Sequence, residues 1–292
     1  MKRREFLVNA AYGVGSVWLA SQLSGDNNAW AFDQPPLPRK FNAHDTVTLG
    51  ATGIKTSRLA MGTGTHGFAK SSDQVRLGMA PLTALLLNGY ENGLRFFDTA
   101  DSYGSHPYVA SALKQIPRDK VVVMTKSDTR DPERMKADLD RYRRELGTDY
   151  IDIVLMHCMM EGDWTTRYRA TMDVLSEAKE KGIIRTHGCS NHTIEALRAA
   201  AASPWVEVDL VRMNPIGAYM DSDPETVAGV IQQMRASGKG IIGMKILGQG
   251  KLRNRQSEAL HYALGRGLLD AFTIGATGKD QQMDLINRIA AA

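Results

Sequence analysis

Short apolar runs alternate with longer amphipathic stretches along most of the chain, and this alternation predicts its secondary structure. Residues 121–124, Val-Val-Val-Met, are continuously apolar, as strands covered on both faces usually are. Runs of this kind, bounded by turn residues, predict eight strands, at 58–62, 94–98, 121–126, 151–157, 186–190, 210–214, 240–245 and 271–275.

The stretches between these strands repeat apolar residues at helical spacing. Asp131 followed by Pro132 is a strong start signal, because an N-cap residue precedes a proline at the first helical position. Helices are predicted near 81–92, 107–113, 131–146, 165–181, 193–202, 224–236, 256–266 and 279–291. Upstream of them, 46–49 and 54–57 predict a short β-hairpin around Gly50 and Gly53.

Eight strands that are each followed by a helix indicate an α/β protein with a parallel sheet. Closure of that sheet into a (β/α)8 TIM barrel is the most economical arrangement. No shift in composition and no linker divides residues 32–292. We therefore predict one barrel domain over 32–292, preceded within that span by the hairpin.

The first 31 residues have the pattern of an export signal instead of a folded segment. Arg3 and Arg4 open a weakly apolar run over 8–23, and the small-x-small sequence at 29–31 is typical of a cleavage site. The paired arginines resemble the twin-arginine signal, which directs folded proteins across the bacterial inner membrane. We expect the twin-arginine machinery as a partner, cleavage after Ala31 and a periplasmic location. The alternative is an uncleaved signal that anchors the protein to the inner membrane.

Composition is ordinary for a globular protein, with 43% hydrophobic and 23% charged residues and a net charge of +4. That charge is small and evenly spread, so nucleic acid is not an expected partner. Cys158 and Cys189 are too few for a disulfide scaffold and lack metal-ligand spacing, so no metal site is predicted. A disulfide between them requires neighbouring strands with suitably directed side chains.

Polar residues follow several predicted strands, where the active site of a barrel lies. Asp98, Tyr103, Lys126 and His157 could form a proton-transfer set. A tyrosine has an ordinary pKa near 10, a nearby ammonium lowers that pKa, and a carboxylate holds the ammonium in place. Taken singly, the Lys–Asp pair could be a plain salt bridge and His157 a core histidine. Their origin in separate, converging strand segments favours the functional interpretation.

These residues sit in motifs that resemble the aldo-keto reductases. The resemblance covers nearly all of 32–292, with the motifs in the family's order. The motifs are Leu49-Gly50-x-x-Gly53, Leu59-x-x-Gly62-Thr63, Phe97-Asp98-Thr99-Ala100-x-x-Tyr103-Gly104, Thr125-Lys126, Asp152-x-x-x-x-His157, Gly182-x-Ile184-Arg185-x-x-Gly188-x-Ser190-Asn191, Gly243-Met244-Lys245-x-Leu247-Gly248 and Ile274-Gly275.

The resemblance implies a nicotinamide cofactor across the barrel mouth and a reduction of a small carbonyl compound. Tyr103 would donate the proton, with its pKa tuned by Lys126 and Asp98, and His157 would orient the carbonyl oxygen. The residues implied for the cofactor are Gly62, Thr63, Ser190, Asn191, Arg212, Met244, Lys245, Gly275, Lys279 and Gln281. Among them, Ser190 and Asn191 would hold the carboxamide of the nicotinamide, whose face would rest on Met244.

The chain departs from the family pattern at two places. Arg212 stands where the family usually has a glutamine beneath the nicotinamide ring. After Gly275, Lys279 and either Gln281 or Gln282 match the residues for the 2′-phosphate and adenine, but Leu285 replaces an expected asparagine. NADP(H) is favoured over NAD(H).

The expected function is reduction of an aldehyde or ketone to an alcohol. Because free cofactor is scarce outside the cytoplasm, a periplasmic reductase would need an unknown redox partner to recharge it. The alternative is an exported, reductase-like protein that binds cofactor or senses redox state with little turnover. A barrel hydrolase is disfavoured because the sequence shows neither a metal-ligand cluster nor a nucleophile elbow.

Overall fold

The computed structural model describes residues 40–292, and its ten strands form a hairpin and a barrel. In the hairpin, Thr46 pairs with Ser57 in antiparallel register. The hairpin strands are β1 (Thr46–Thr48) and β2 (Lys55–Ser57). The barrel strands are β3 (Leu59–Gly62), β4 (Phe96–Asp98), β5 (Val122–Ser127), β6 (Ile151–Met159), β7 (Ile184–Asn191), β8 (Val208–Arg212), β9 (Gly240–Met244) and β10 (Ala271–Gly275).

The barrel is closed and every pair of neighbouring strands in it is parallel. The strands follow chain order from β3 to β10, and β10 pairs back onto β3 with Phe272 opposite Leu59. Both the (β/α)8 barrel and the preceding hairpin are thus confirmed, and each predicted strand overlaps an observed one. Parallel closure aligns the carboxyl ends of all eight strands at one rim.

The hairpin closes the other end of the barrel. Leu49 and Ile54 are fully buried and pack with the apolar side chains inside it. Gly50 adopts a φ of +47°, and a Cβ there would lie 2.4 Å from the backbone of Lys239 and Gly240. Only glycine allows the hairpin to approach the start of β9 so closely.

Helices surround the barrel and bury a second apolar layer against it. They are α1 (Met79–Glu91), α2 (His106–Leu113), α3 (Pro132–Leu146), α4 (Trp164–Arg167), α5 (Arg169–Glu180), α6 (Ile194–Ala202), α7 (Pro224–Ala236), α8 (Gln256–Gly265) and α9 (Lys279–Ala290). Asp131 caps α3 as predicted, accepting a hydrogen bond from the Arg134 backbone N–H at 2.7 Å.

The single helix predicted over 165–181 is wrong, because it is broken at Tyr168 into α4 and α5. Trp164 is fully buried, and its indole N–H donates to the carbonyl of Ala196 in α6 at 3.2 Å. That contact holds the first turn against α6, while α5 continues over the barrel.

Within 40–292, none of the helices has the length and apolarity that a membrane crossing requires. The predicted export signal, residues 1–31, lies outside the described part of the chain.

Candidate active site

A cleft opens at the rim formed by the carboxyl ends of the barrel strands. It holds about 1070 Å³ of empty space, counted out to its open mouth. Seven residues predicted for the site line it: Gly62, Asp98, Tyr103, Met244, Lys245, Gly275 and Gln281. The cleft is therefore where the strand-end argument places the chemistry.

A buried ion pair lies at the base of the cleft. Lys126 has no exposed surface; its ammonium donates to the Asp98 carboxylate and, at 2.8 Å, to the Thr99 carbonyl. Thr273 donates to the second oxygen of Asp98 at 2.7 Å. Burial would lower the pKa of Lys126, but Asp98 and then Tyr103 oppose it, and the net pKa is raised. The lysine is held charged.

Tyr103 ends a short 3₁₀ turn after β4, and the Lys126 ammonium lies 4.8 Å from the centre of its ring. Burial raises the pKa of Tyr103 to about 12, against the opposing effect of Lys126. Lys126 acts to lower this pKa, as expected, but desolvation of the phenolate outweighs the ion and the net shift is upward. Tyr103 is a protonated phenol.

Two glycines of the loop after β3 pack on the ring of Tyr103. A Cβ at Gly64 would lie 2.1 Å from Cε2 of the ring, and one at Gly67 would lie 2.3 Å from Cδ1. Any side chain at either position would displace the ring. The sequence reasoning did not identify these glycines, although their position in the Gly-Thr-Gly-Thr-His-Gly segment was a usable signal.

His157 meets Tyr103 edge-on, with ring centroids 5.9 Å apart and planes at 81°. Its Nδ1 lies 2.8 Å from Oδ1 of Asp128 but is not aligned with it as a hydrogen bond. Burial lowers the pKa of His157, and Lys126 lowers it further, while Asp128 acts in the opposite direction. The imidazole is therefore neutral at neutral pH.

Ser190 and Asn191, predicted for the nicotinamide carboxamide, are fully buried at the end of β7. The Ser190 hydroxyl accepts from the Cys158 backbone N–H at 3.0 Å. The Asn191 amide donates to both oxygens of Asp209, at 2.8 and 3.1 Å. The Ser190 hydroxyl and the Asn191 amide nitrogen thus already have protein partners.

Thr63 and Arg212 also have partners within the protein. The Thr63 hydroxyl donates to the Asp98 carbonyl at 2.8 Å, which ties β3 to β4 beneath the cleft. Arg212 forms a buried ion pair with Asp221, and its Nε lies 3.2 Å from the same carboxylate oxygen.

The last of the residues predicted for the cofactor lie around the start of α9. Gln281 lines the cleft and accepts a hydrogen bond from the Thr277 backbone N–H at 2.8 Å, whereas Lys279 is exposed as the first residue of the helix. Position 275 requires glycine, because a Cβ there would lie 2.3 Å from the Thr65 hydroxyl.

Neither cysteine forms a disulfide in the described chain. They lie on the neighbouring strands β6 and β7, but their thiols have different partners. Cys158 Sγ lies 3.4 Å from Nε2 of His192, and Cys189 Sγ lies 3.5 Å from Asp209.

Comparison with known proteins identifies the family. Residues 59–268 match the model of the aldo/keto reductase family, and the chain belongs to that family. It is 29% identical over 175 residues to the NADH-specific methylglyoxal reductase of Escherichia coli (strain K12), covering 52% of this chain and 53% of that protein. It is also 29% identical over 165 residues to the methylglyoxal reductase DkgB of Salmonella typhi, covering 55% and 60%.

The chain thus spans between half and two thirds of the length of these curated relatives. Among solved structures, it resembles a putative aldo-keto reductase from Pseudomonas aeruginosa, with a TM-score of 0.72 and 21% identity, over 86% of this chain and 97% of that one. At that identity the likeness concerns the fold alone.

Proposed function

We propose that this protein is an NAD(P)H-dependent reductase that converts an aldehyde or ketone to an alcohol. One observation carries the proposal: the Lys126 ammonium is buried between the Asp98 carboxylate and the ring of a protonated Tyr103, beside a neutral His157. This arrangement can give up a proton at the cleft and stabilise the anion left behind.

In the proposed reaction the cofactor supplies a hydride when it is bound, and the protein supplies orientation and a proton. Tyr103 Oη donates the proton to the carbonyl oxygen as negative charge develops there. Lys126 stabilises the resulting phenolate, and Asp98 keeps Lys126 in position. His157 orients the carbonyl oxygen through Nε2, since its Nδ1 is turned to Asp128.

The cofactor is proposed to lie along the cleft wall formed by Gly62, Met244, Lys245 and Gly275. Lys245 and Arg253 line the same cleft and supply positive charge suited to a pyrophosphate. We propose NADP(H) over NAD(H), because the exposed Lys279 is available to a 2′-phosphate at the start of α9. One relative is named as NADH-specific, so the preference needs a direct test.

The names of the relatives suggest methylglyoxal as the first substrate to assay. Purified protein mixed with methylglyoxal should oxidise NADPH faster than NADH, followed by loss of reduced-nicotinamide absorbance. Lys279→Met should weaken NADPH binding by about tenfold, since it removes one charge–phosphate contact, and should leave NADH binding unchanged. Lys136→Met, on the exposed face of α3, is the matched control.

The second candidate is a cofactor-binding or redox-sensing protein with little turnover. It is favoured by the internal partners of Asn191 and Arg212, which occupy side chains that the family resemblance assigned to the nicotinamide. Tight cofactor binding without oxidation by any of a panel of aldehydes would establish this candidate in place of the reductase.

We also infer that residues 1–31 direct export to the periplasm by the twin-arginine route, with an uncleaved inner-membrane anchor as the alternative. The full chain with Arg3→Lys and Arg4→Lys should remain in the cytoplasm, because the receptor reads the arginine pair. Cell fractionation measures this. Lys2→Arg is the control and should be exported normally. Equal periplasmic amounts of the paired-lysine variant and the wild type would rule the route out. In the periplasm, sustained turnover would require a redox partner that recharges the cofactor.

A further inference from the structure

A cluster of metal-ligating atoms lies beside the candidate active site. The ends of three neighbouring strands, β5, β6 and β7, bring Asp128, His157, Cys158 and His192 together at the barrel rim. One carboxylate oxygen of Asp128, an imidazole nitrogen of His157 and the Cys158 sulfur all lie within 4.8 Å of one another. His192 Nε2 lies 3.4 Å from that sulfur.

His157 and Asp128 face each other at contact distance. His157 is 9% exposed, and its Nδ1 is buried without an aligned hydrogen bond, 2.8 Å from a carboxylate oxygen. Nδ1 and this carboxylate oxygen are both ligand atoms that zinc accepts, and the Cys158 sulfur lies close to both.

The backbone also holds Cys158 in an unusual way. The register of β6 against β7 shifts between Met156 and Met159, and Cys158 within that bulge has a φ of +57°. A non-glycine residue in the left-handed region costs free energy and is concentrated at functional sites. Arg130 donates to the His157 carbonyl at 2.6 Å and to the Cys158 carbonyl at 3.3 Å, which fixes the bulge.

We propose that Asp128, His157 and Cys158 bind a zinc-type divalent cation, with His192 as the nearest candidate for a fourth ligand. Thiolate, imidazole and carboxylate are the ligands that zinc takes. Tetrahedral zinc sets its ligand atoms roughly 3.3–3.8 Å apart, so the observed spacings require only small side-chain movements. Asp128 is exposed, which gives the ion a path from solvent.

The same surroundings disfavour calcium and magnesium. These ions need several oxygen ligands, and the cluster offers a single carboxylate. Lys126, Arg130 and Lys245 all act electrostatically on Cys158, so an ion held by charge alone would be repelled. Only a metal that gains strongly from the thiolate and imidazole bonds overcomes these charges.

Titration of the purified protein with Co²⁺ tests the site without any cofactor or carbonyl. A bound thiolate gives Co²⁺ a characteristic charge-transfer absorption, which should saturate at one equivalent and disappear when excess Zn²⁺ is added. Cys158→Ser should abolish it. His157→Ala should raise the Co²⁺ Kd by about 100-fold or more, since loss even of a ligand's outer contact typically costs 10–100-fold.

Cys189→Ser is the matched control, because Cys189 is the chain's only other cysteine and is fully buried outside the cluster. It should keep the absorption. Absence of the absorption from wild-type protein, or its persistence in Cys158→Ser, would overturn the proposal. Circular dichroism and a thermal melt check that each variant folds; if Cys158→Ser does not, Asp128→Asn on the exposed rim should weaken Co²⁺ binding by about tenfold or more. A protein that binds Co²⁺ but reduces no carbonyl would contradict the proposed reductase function and leave the metal site standing.

Discussion

Replacing Tyr103 with phenylalanine should abolish carbonyl reduction and leave cofactor binding nearly intact. The substitution removes only the hydroxyl, so the ring still fills the space between Gly64 and Gly67 and beside Lys126. Loss of a general acid typically costs about 10²–10⁴-fold in rate. We expect kcat for methylglyoxal to fall by at least about 10³-fold, while the Kd for NADPH, from fluorescence titration, changes less than about threefold.

Tyr150→Phe is the control for this prediction. Tyr150 directly precedes β6, at the opposite end of that strand from His157, and its ring packs under Arg118 at 4.1 Å. The variant should reduce methylglyoxal at the wild-type rate. If Tyr103→Phe kept most of its activity, another group would have to be the acid, and the site assignment would be wrong.

The barrel was predictable because its signal is local and repeated. Each strand is a short apolar run and each helix an amphipathic one, and eight repeats leave few other ways to bury them. The break at Tyr168 was not predictable in this way. It depends on Trp164 packing against α6, a contact about thirty residues away that no local pattern encodes.

The candidate site shows the same difference between local sequence signals and contacts made by distant segments. Asp98 and Lys126 could be placed because strand ends meet at one rim. The residues that contact the site side chains come from distant segments. Thr273 donates a hydrogen bond to Asp98, and the Asp128 carboxylate faces His157. The lowering effect of Lys126 on the pKa of Tyr103 was predictable, but the net direction was not, because it depends on how deeply the ring is buried.

The cluster around Cys158 could not be predicted from the cysteine spacing for a related reason. Spacing along the chain is informative only when the ligands share one segment, and Cys158 and Cys189 do not. The residues that cluster with Cys158 are its neighbour in sequence, His157, and two residues at the ends of adjacent strands, Asp128 and His192. Such a cluster is visible only once the strands are in register.

Asp98→Asn should destabilise the protein by about 3–5 kcal/mol, because it leaves the buried Lys126 ammonium without its counter-charge. Asparagine keeps the shape and can still accept from Thr273, so the loss reports the charge and not a cavity. Lys126 would retain only neutral acceptors such as the Thr99 carbonyl. Urea denaturation measures the change in the free energy of unfolding. Asp119→Asn, in a surface pair with Lys120 at 3.3 Å, is the control and should cost less than about 1 kcal/mol.

Adding Lys126→Met to Asp98→Asn separates the two roles of the ion pair. The double variant removes both charges and keeps a side chain of similar length, so most of the lost stability should return. Carbonyl reduction should not return, because no ammonium remains to stabilise the Tyr103 phenolate. If stability returns but activity does not, the Asp98–Lys126 pair is needed for the reaction and contributes little net free energy to folding. Full activity in the double variant would mean that the buried pair only holds β4 and β5 together, and the proton would then need another route.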